Sequence, residues 1–232
     1  MLPSMPDLDG YEFACTYDPA ADISGDFYDF VRLGDGQVGV LIGDVSGHGI
    51  EAAIVMGMAK KSLSIFARFA SGPVEALSRG NDDLCGDLDS DSFLTAAYAI
   101  LDGEGGRLVL ARAGHPMPVL FNRKRKPRHQ EIRSKGMMVG MSKGSTFSKS
   151  LEEVAVDLVP GDLMFFYTDG LTEARSPSGA QFGIDRALEI LESSPRAKVE
   201  TLLGNVRSAV ADFRGGGGPE DDITMMAVRR NK

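Results

Sequence analysis

The sequence predicts an α+β fold in which two antiparallel sheets pack face to face with helix pairs outside them. Strand-like runs come mainly in hairpins, and helical stretches come in pairs, over 50–84 and 184–213. Nothing alternates as strand, helix, strand in the manner of a parallel sheet. The 232 residues suffice for one large domain or two small ones, and a hydrophobic content of 43% allows a sizeable core.

Residues 1–10 are proline-rich and read as an extended lead-in. Apolar residues then alternate at Tyr11, Phe13, Cys15 and Tyr17, the period of a half-buried strand. After a turn-rich link over 18–26, Phe27–Leu33 and Gln37–Val45 form a hairpin through Gly34-Asp-Gly36. Ile50–Phe69 reads as a helix, with Ile54, Met58, Leu63, Ile65 and Phe66 on one broad face. Its small residues (Ala52, Ala53, Gly57, Ala59) permit close packing. Pro73–Leu84 is a shorter helix, and an acidic, solvated loop runs from Asp82 to Asp91. Phe93–Leu101 and Arg107–Ala113 form a second hairpin, and a short strand starts near Val119.

The basic stretch Asn122–Gln130, with Arg123-Lys-Arg-Lys126 and Arg128, reads as a solvated hairpin tip, with a docking spot for an acidic partner as the alternative. Ile132–Lys149 lacks periodicity and reads as a long, adaptable loop or flap that can include a short buried turn. Glu152–Leu158 alternates, Pro160-Gly-Asp162 turns, and Leu163–Tyr167 is wholly apolar. Helices over Ile184–Ser193 and Val199–Phe213 precede a last strand, Ile223–Arg229.

A net charge of −8 argues against a general nucleic-acid binder and against anionic membrane surfaces. No signal peptide and no apolar run of about 18 residues is evident, which points to a soluble chain. Cys15 and Cys85 form no Cys-x-x-Cys arrangement, so reduced thiols and a cytosolic setting are expected.

Function concentrates where buried strands end on a carboxylate. The apolar run Val38–Ile42 arrives at Asp44, followed by Gly47 and Gly49. Such a place suits a hard cation, a phosphate or a plain turn. Gly47-His-Gly49-Ile-Glu-Ala52 fits a loose dinucleotide fingerprint, but no acidic residue stands roughly 20 positions on. Antiparallel pairing of the first hairpin puts Asp26 at the same sheet end as Asp44. Leu163–Tyr167 delivers Asp169 in the same way, and Asp221-Asp222 precedes the last strand. Oxygen-only ligands without a His or Cys cluster favour Mg²⁺ or Mn²⁺ over zinc. Carboxylates crowded at one rim repel each other, and a pair of divalent ions resolves the repulsion. His115, between Gly114 and Pro116, reads as structural.

Ser24-Gly-Asp26-Phe-Tyr-Asp29, Ile42-Gly-Asp44-Val-Ser-Gly-His-Gly49, Ala113-Gly-His-Pro116, Tyr167-Thr-Asp169-Gly170 and Asp221-Asp-Ile-Thr224 stand in order along the chain. Together they resemble the metal-dependent type 2C (PPM) serine/threonine protein phosphatases, more narrowly the bacterial SpoIIE or RsbU-like branch, over residues 3–230. The resemblance implies a four-layer α-β-β-α sandwich, formed as a single domain over 11–232. It implies two Mn²⁺ or Mg²⁺ ions, with Asp44 bridging both and the Val45 carbonyl on one of them. Asp169 and Asp221 would hold the first ion and Asp26 the second, and Asp222 would support them. The activity implied is hydrolysis of phosphoserine or phosphothreonine in a protein, by in-line attack of a metal-activated water and without a covalent phosphoenzyme.

By the same resemblance the substrate would be an anti-sigma-factor antagonist of the STAS type. The chain would be the cytoplasmic output domain of a bacterial signalling regulator, downstream of a sensor or receiver module, and the branch leaves room for a homodimer. No nucleic acid and no membrane is implied. Gly-Gly-Asp is the usual pattern where Ser24-Gly25-Asp26 stands here, and no arginine is assigned to phosphate binding. The competing reading is a catalytically silent module that binds a phosphoprotein on the same fold, and the intact aspartates count against it.

Overall fold

A computed structural model describes residues 3–34, 36–89, 92–122, 124–194 and 197–232. Asp35 of the first hairpin turn, Asp91 of the acidic loop and Arg123 of the basic stretch therefore lie outside the described residues. In chain order the elements are β1 (Tyr11–Asp18), β2 (Phe27–Arg32), β3 (Gln37–Val45), α1 (Ile50–Ala67), α2 (Pro73–Leu84), β4 (Leu94–Asp102) and β5 (Arg107–Ala113). They continue with β6 (Val119–Phe121), β7 (His129–Glu131), α3 (Gly144–Ser150), β8 (Glu153–Asp157) and β9 (Leu163–Tyr167). The chain finishes with α4 (Asp169–Glu173), α5 (Gly183–Ser193), α6 (Val199–Phe213) and β10 (Ile223–Arg230).

The strands form two five-stranded antiparallel sheets, ordered β1-β10-β9-β6-β7 and β2-β3-β4-β5-β8. Three apolar clusters separate four layers. Strand alternation sorts the residues: in β9, Met164 and Phe166 face the other sheet, while Phe165 and Tyr167 pack with α5 and α6. In β3, Val40 and Ile42 fill the space between sheets, while Leu41 and Val45 join the cluster of α1 and α2. The α-β-β-α sandwich expected from the resemblance is the observed architecture.

Two local expectations need correction. Of the apolar face expected for α1, Leu63 is buried and Met58 packs on the same cluster, while Ile54 is 59% and Ile65 40% exposed. The close packing expected of the small residues is seen at Ala52 and Ala59, joined by Ala67. Small side chains let it come close to its neighbours: a Cβ on Gly80 of α2 would stand 2.4 Å from Leu63. Residues 132–149 form no stand-off flap. Leu94 and Val139 exchange backbone hydrogen bonds of 3.0 Å, Gly114 N–H donates to Gly136 O, and α3 buries Phe147 fully. A few apolar residues and a borrowed strand edge pin a segment that has no periodicity of its own.

The basic stretch is a hairpin tip between β6 and β7, as expected, and Arg125 and Arg128 serve the fold. Arg125 pairs with the fully buried Asp162, which also accepts from Asn122 Nδ2 at 2.6 Å, and Arg128 lies 3.3 Å from Glu192. Among the described residues, no helix is long and apolar enough to cross a membrane.

Candidate metal centre

Four strand ends meet at one rim of the sandwich. In the β2–β3 hairpin Phe27 faces Gly43, so Asp26, one residue before, comes level with Asp44. In the other sheet Met225 faces Tyr167, and running that register back sets Asp169 beside the start of β10, where Asp221 and Asp222 stand. A hydrogen bond joins the two sheets at this rim: Thr168 Oγ1 donates to Asp26 Oδ2 at 2.8 Å. The same hydroxyl accepts from Thr224 N–H at 2.9 Å, so one threonine ties together the ends of β2, β9 and β10.

Glycines make the close approaches possible. A Cβ on Gly25 would stand 3.0 Å from the Val45 carbonyl oxygen, and one on Gly43 would run into the Phe27 ring. A Cβ on Gly170 would lie 2.0 Å from the Asp222 carbonyl. Gly47 and Gly49, at φ of 97° and 83°, turn the chain from Asp44 into α1 in a conformation that other residues rarely adopt.

The carboxylates differ in their surroundings. Asp26 is 1% exposed, and its pKa is pushed well above the usual range, first by burial and then by the charge of Asp44, while the Thr168 hydrogen bond works the other way. Asp44 is pushed up to about 7, by burial first and then by the charges of Asp169, Asp221 and Asp222. Asp169 is also raised, by burial and then by Asp221 and Glu173. Asp221 is exposed, and its Oδ1 accepts from Asp222 N–H at 2.8 Å. Both oxygens of Asp222 are engaged by backbone: Ala20 N–H at 2.7 Å and Gly25 N–H at 2.8 Å. Asp222 therefore clamps the loop that carries Asp26, which is the work of a supporting residue.

As the side chains stand, no three His, Cys, Asp or Glu residues among those described close on a single point. The carboxylates line one rim and share one electrostatic field, with the side chains of Asp26 and Asp44 in contact with each other. The donor set still fits hard divalent cations. It is all oxygen, it includes the backbone carbonyl of Val45 held against Gly25, and its burial and mutual repulsion make it avid for positive charge.

His115 is fully buried and belongs to the frame around the site. Its Nδ1 lies 2.8 Å from Thr95 Oγ1, and Thr95 sits opposite Asp44 on β4. Burial, and after it the nearby Arg112 charge, push its pKa down to about 3, so the ring is neutral. Arg112 donates to the carbonyls of His115 and of Ser134, fixing the turn after β5.

Sequence reasoning missed Thr168 and Thr224. The available signal was a hydroxyl residue at each of two apolar strand ends, directly beside the aspartates. A cleft beside Asp26 was also missed, because its walls are α1 and β2, which adjoin only in three dimensions.

The family model for Stage II sporulation protein E (SpoIIE) matches residues 34–231. Protein IcfG of Synechocystis sp. (strain ATCC 27184 / PCC 6803 / Kazusa) is 32% identical over 255 residues, covering 98% of this chain and 39% of its own length. Phosphoserine phosphatase RsbU of Bacillus subtilis (strain 168) is 26% identical over 218 residues, covering 91% of this chain and 61% of RsbU. The chain thus spans less than two thirds of either curated relative. Among solved structures, the RsbU and RsbW domains of Rv1364c from Mycobacterium tuberculosis align with a TM-score of 0.79 at 27% identity, covering 97% of this chain and 61% of that one. A more distant fold neighbour, the catalytic domain of the serine threonine protein phosphatase PstP, was solved in complex with 2 manganese ions, with a TM-score of 0.66 at 12% identity over 94% of this chain and 97% of that one.

Proposed function

Because this chain belongs to the Stage II sporulation protein E family, we propose that it is a divalent-metal-dependent phosphatase acting on phosphoserine or phosphothreonine in a protein. The observation that carries the reading is the arrival of Asp26, Asp44, Asp169 and Asp221 at one rim, with Thr168 binding the two sheets together there. Asp44 would reach both ions, Asp169 and Asp221 one, Asp26 the other, and the Val45 carbonyl one of them. Bound there, Mn²⁺ or Mg²⁺ supplies positive charge against the phosphoryl oxygens and makes water more acidic.

The chain's own groups do the positioning. Thr168 orients the Asp26 carboxylate, and Asp222 holds the loop over 20–25 so that Gly25 stays against Val45. Burial of Asp26 keeps bulk water away from one flank of the rim, where charge interactions are strengthened. Exposed Asp221 marks the flank open to substrate.

The finer reading follows from the resemblance and from relatives of the RsbU type. The substrate is a phosphorylated STAS-type anti-sigma-factor antagonist, and residues 11–232 act as the cytoplasmic output domain of a longer regulator, with residues 1–10 leading in. Hydrolysis of p-nitrophenyl phosphate and of a phosphoserine STAS protein, with Mn²⁺ and with EDTA, tests this in wild type and Asp169→Asn. Turnover that needs the metal and disappears in the variant is expected. Absence of both turnover and Mn²⁺ binding would leave the silent binding module as the reading.

A further inference from the structure

A cleft of about 340 Å³ opens between α1 and β2, and Asp26 lies at its wall. The helix contributes Gly57, Lys60, Lys61, Ser64, Ile65 and Arg68, which fall on one stripe at helical spacing. From Gly57 to Arg68 the stripe runs about 16 Å at 1.5 Å per residue. That matches about five residues of extended chain. The opposite wall is the outermost strand of its sheet, β2.

The lining of this cleft is locally basic. The whole chain carries a net charge of −8, yet Lys60, Lys61 and Arg68 line this one hollow. The carboxylate opposite them, Asp29, is engaged within the protein, accepting from Ser64 Oγ at 2.7 Å and from Phe30 N–H at 2.9 Å. Lys60 Nζ lies 6.0 Å from the centre of the Tyr28 ring. Ile65 adds an exposed aliphatic surface between Lys61 and Arg68, and nothing stands within 4 Å of a Cβ built on Gly57, so the floor there is open.

We propose that this cleft takes the polypeptide next to the phosphorylated residue, as an extended segment of about five residues with acidic and aliphatic side chains. The assignment rests on the phosphatase reading and adds the specificity surface that the rim of aspartates does not provide. A phosphoserine entering the rim at the open Asp221 flank lets its neighbouring chain run across the rim to the Asp26 side, where the stripe of α1 offers cations to acidic flanks with Ile65 as an aliphatic contact. Continuity with the proposed site and charge complementarity both favour this occupant.

The test uses two fluorescent phosphoserine decapeptides that differ only in flanks, glutamate with leucine or lysine with leucine. Anisotropy measures binding, and phosphate release measures kcat/KM. The wild-type chain should prefer the acidic peptide at least tenfold in both. Lys61→Glu combined with Arg68→Glu should invert the order, and Lys61→Arg with Arg68→Lys should keep it. General damage moves both peptides together, so the ratio separates a contact from a loss of fold. No preference in wild type, or a preference untouched by the charge reversal, overturns the proposal. The phosphatase reading fails separately, through absence of metal-dependent p-nitrophenyl phosphate hydrolysis. Anisotropy needs no turnover and still decides the cleft in that event.

Discussion

The two sheets deliver carboxylates to the same rim under opposite conditions. The β2–β3 side is the more enclosed: Asp26 is sealed and hydrogen-bonded by Thr168, and half-buried Asp44 has its pKa pushed up to about 7, first by burial and then by the charges of Asp169, Asp221 and Asp222. The β9–β10 side is open: Asp221 is exposed, and Asp169 is half-buried at the first turn of α4. A charged site needs both conditions. The sealed half fixes positions and strengthens electrostatics, while the open half admits solvent and substrate. The sealed half carries a desolvation penalty at Asp26, and the charges of Asp169, Asp221 and Asp222 press on Asp44 from across the rim.

Parallel substitutions give the largest way to break this comparison. Asp44→Asn and Asp221→Asn should each lower metal-dependent turnover, Asp44→Asn by about a hundredfold to a thousandfold. Their stabilities in EDTA should diverge. Asp44→Asn relieves a buried charge and should raise the melting temperature, whereas exposed Asp221→Asn should stay within about 0.5 kcal/mol of wild type. Equal shifts in a thermal melt would erase the distinction between the halves.

Next in size is Asp222→Ala. It frees the loop over 20–25 from both backbone contacts, and Mn²⁺ affinity measured by calorimetry should fall about tenfold to a hundredfold. Unchanged affinity would show that the loop needs no clamp. Thr168→Val removes the donor to Asp26 and the acceptor for Thr224 N–H in one nearly isosteric step. Urea unfolding should register a loss of about 1–3 kcal/mol, with Thr168→Ser restoring most of it.

The comparison is also sharpened through pH. His115, on the sealed side, has a pKa of about 3 in the folded chain against an ordinary 6.5, so it stays neutral while the unfolded chain takes up a proton. Its contribution is therefore whole above pH 6.5 and drains away as pH falls towards 3, by at most about 1.4 kcal/mol per unit. Wild type should lose stability on acidification more steeply than His115→Gln, and parallel curves would remove His115 from this account.

Local chemistry was legible in the sequence where it was local. Gly34 and Gly36 mark the turn that brings Asp26 level with Asp44, and apolar runs ending on Asp44 and Asp169 mark strands that stop at a rim. The α1 face was read only in part, because apolar periodicity assumes that large residues go inward. Here Ala52, Ala59, Leu63 and Ala67 occupy the interface as Ile54 and Ile65 remain outside. The segment 132–149 was misread because its order comes from bonds to the end of β4 and to β5's turn, not from its own pattern. Sheet partners distant in sequence leave no local trace, and neither Thr168 with Asp26 nor the α1 stripe with β2 could be found by scanning a window.

The pairing of β1 with β10, from Tyr11 against Arg230 to Asp18 against Ile223, has a consequence for the order of synthesis. On a ribosome the sheet that carries Asp44 has all its strands once β8 emerges, while the other sheet still lacks the strand that lies between β1 and β9. Only the arrival of β10 brings Asp221 to Asp169 and lets Thr224 reach Thr168. A nascent chain or an early-terminated product would hold Asp26 and Asp44 with no opposing rim. The architecture withholds the assembled rim until β10 has been made, so a half-made chain lacks one side of the proposed centre.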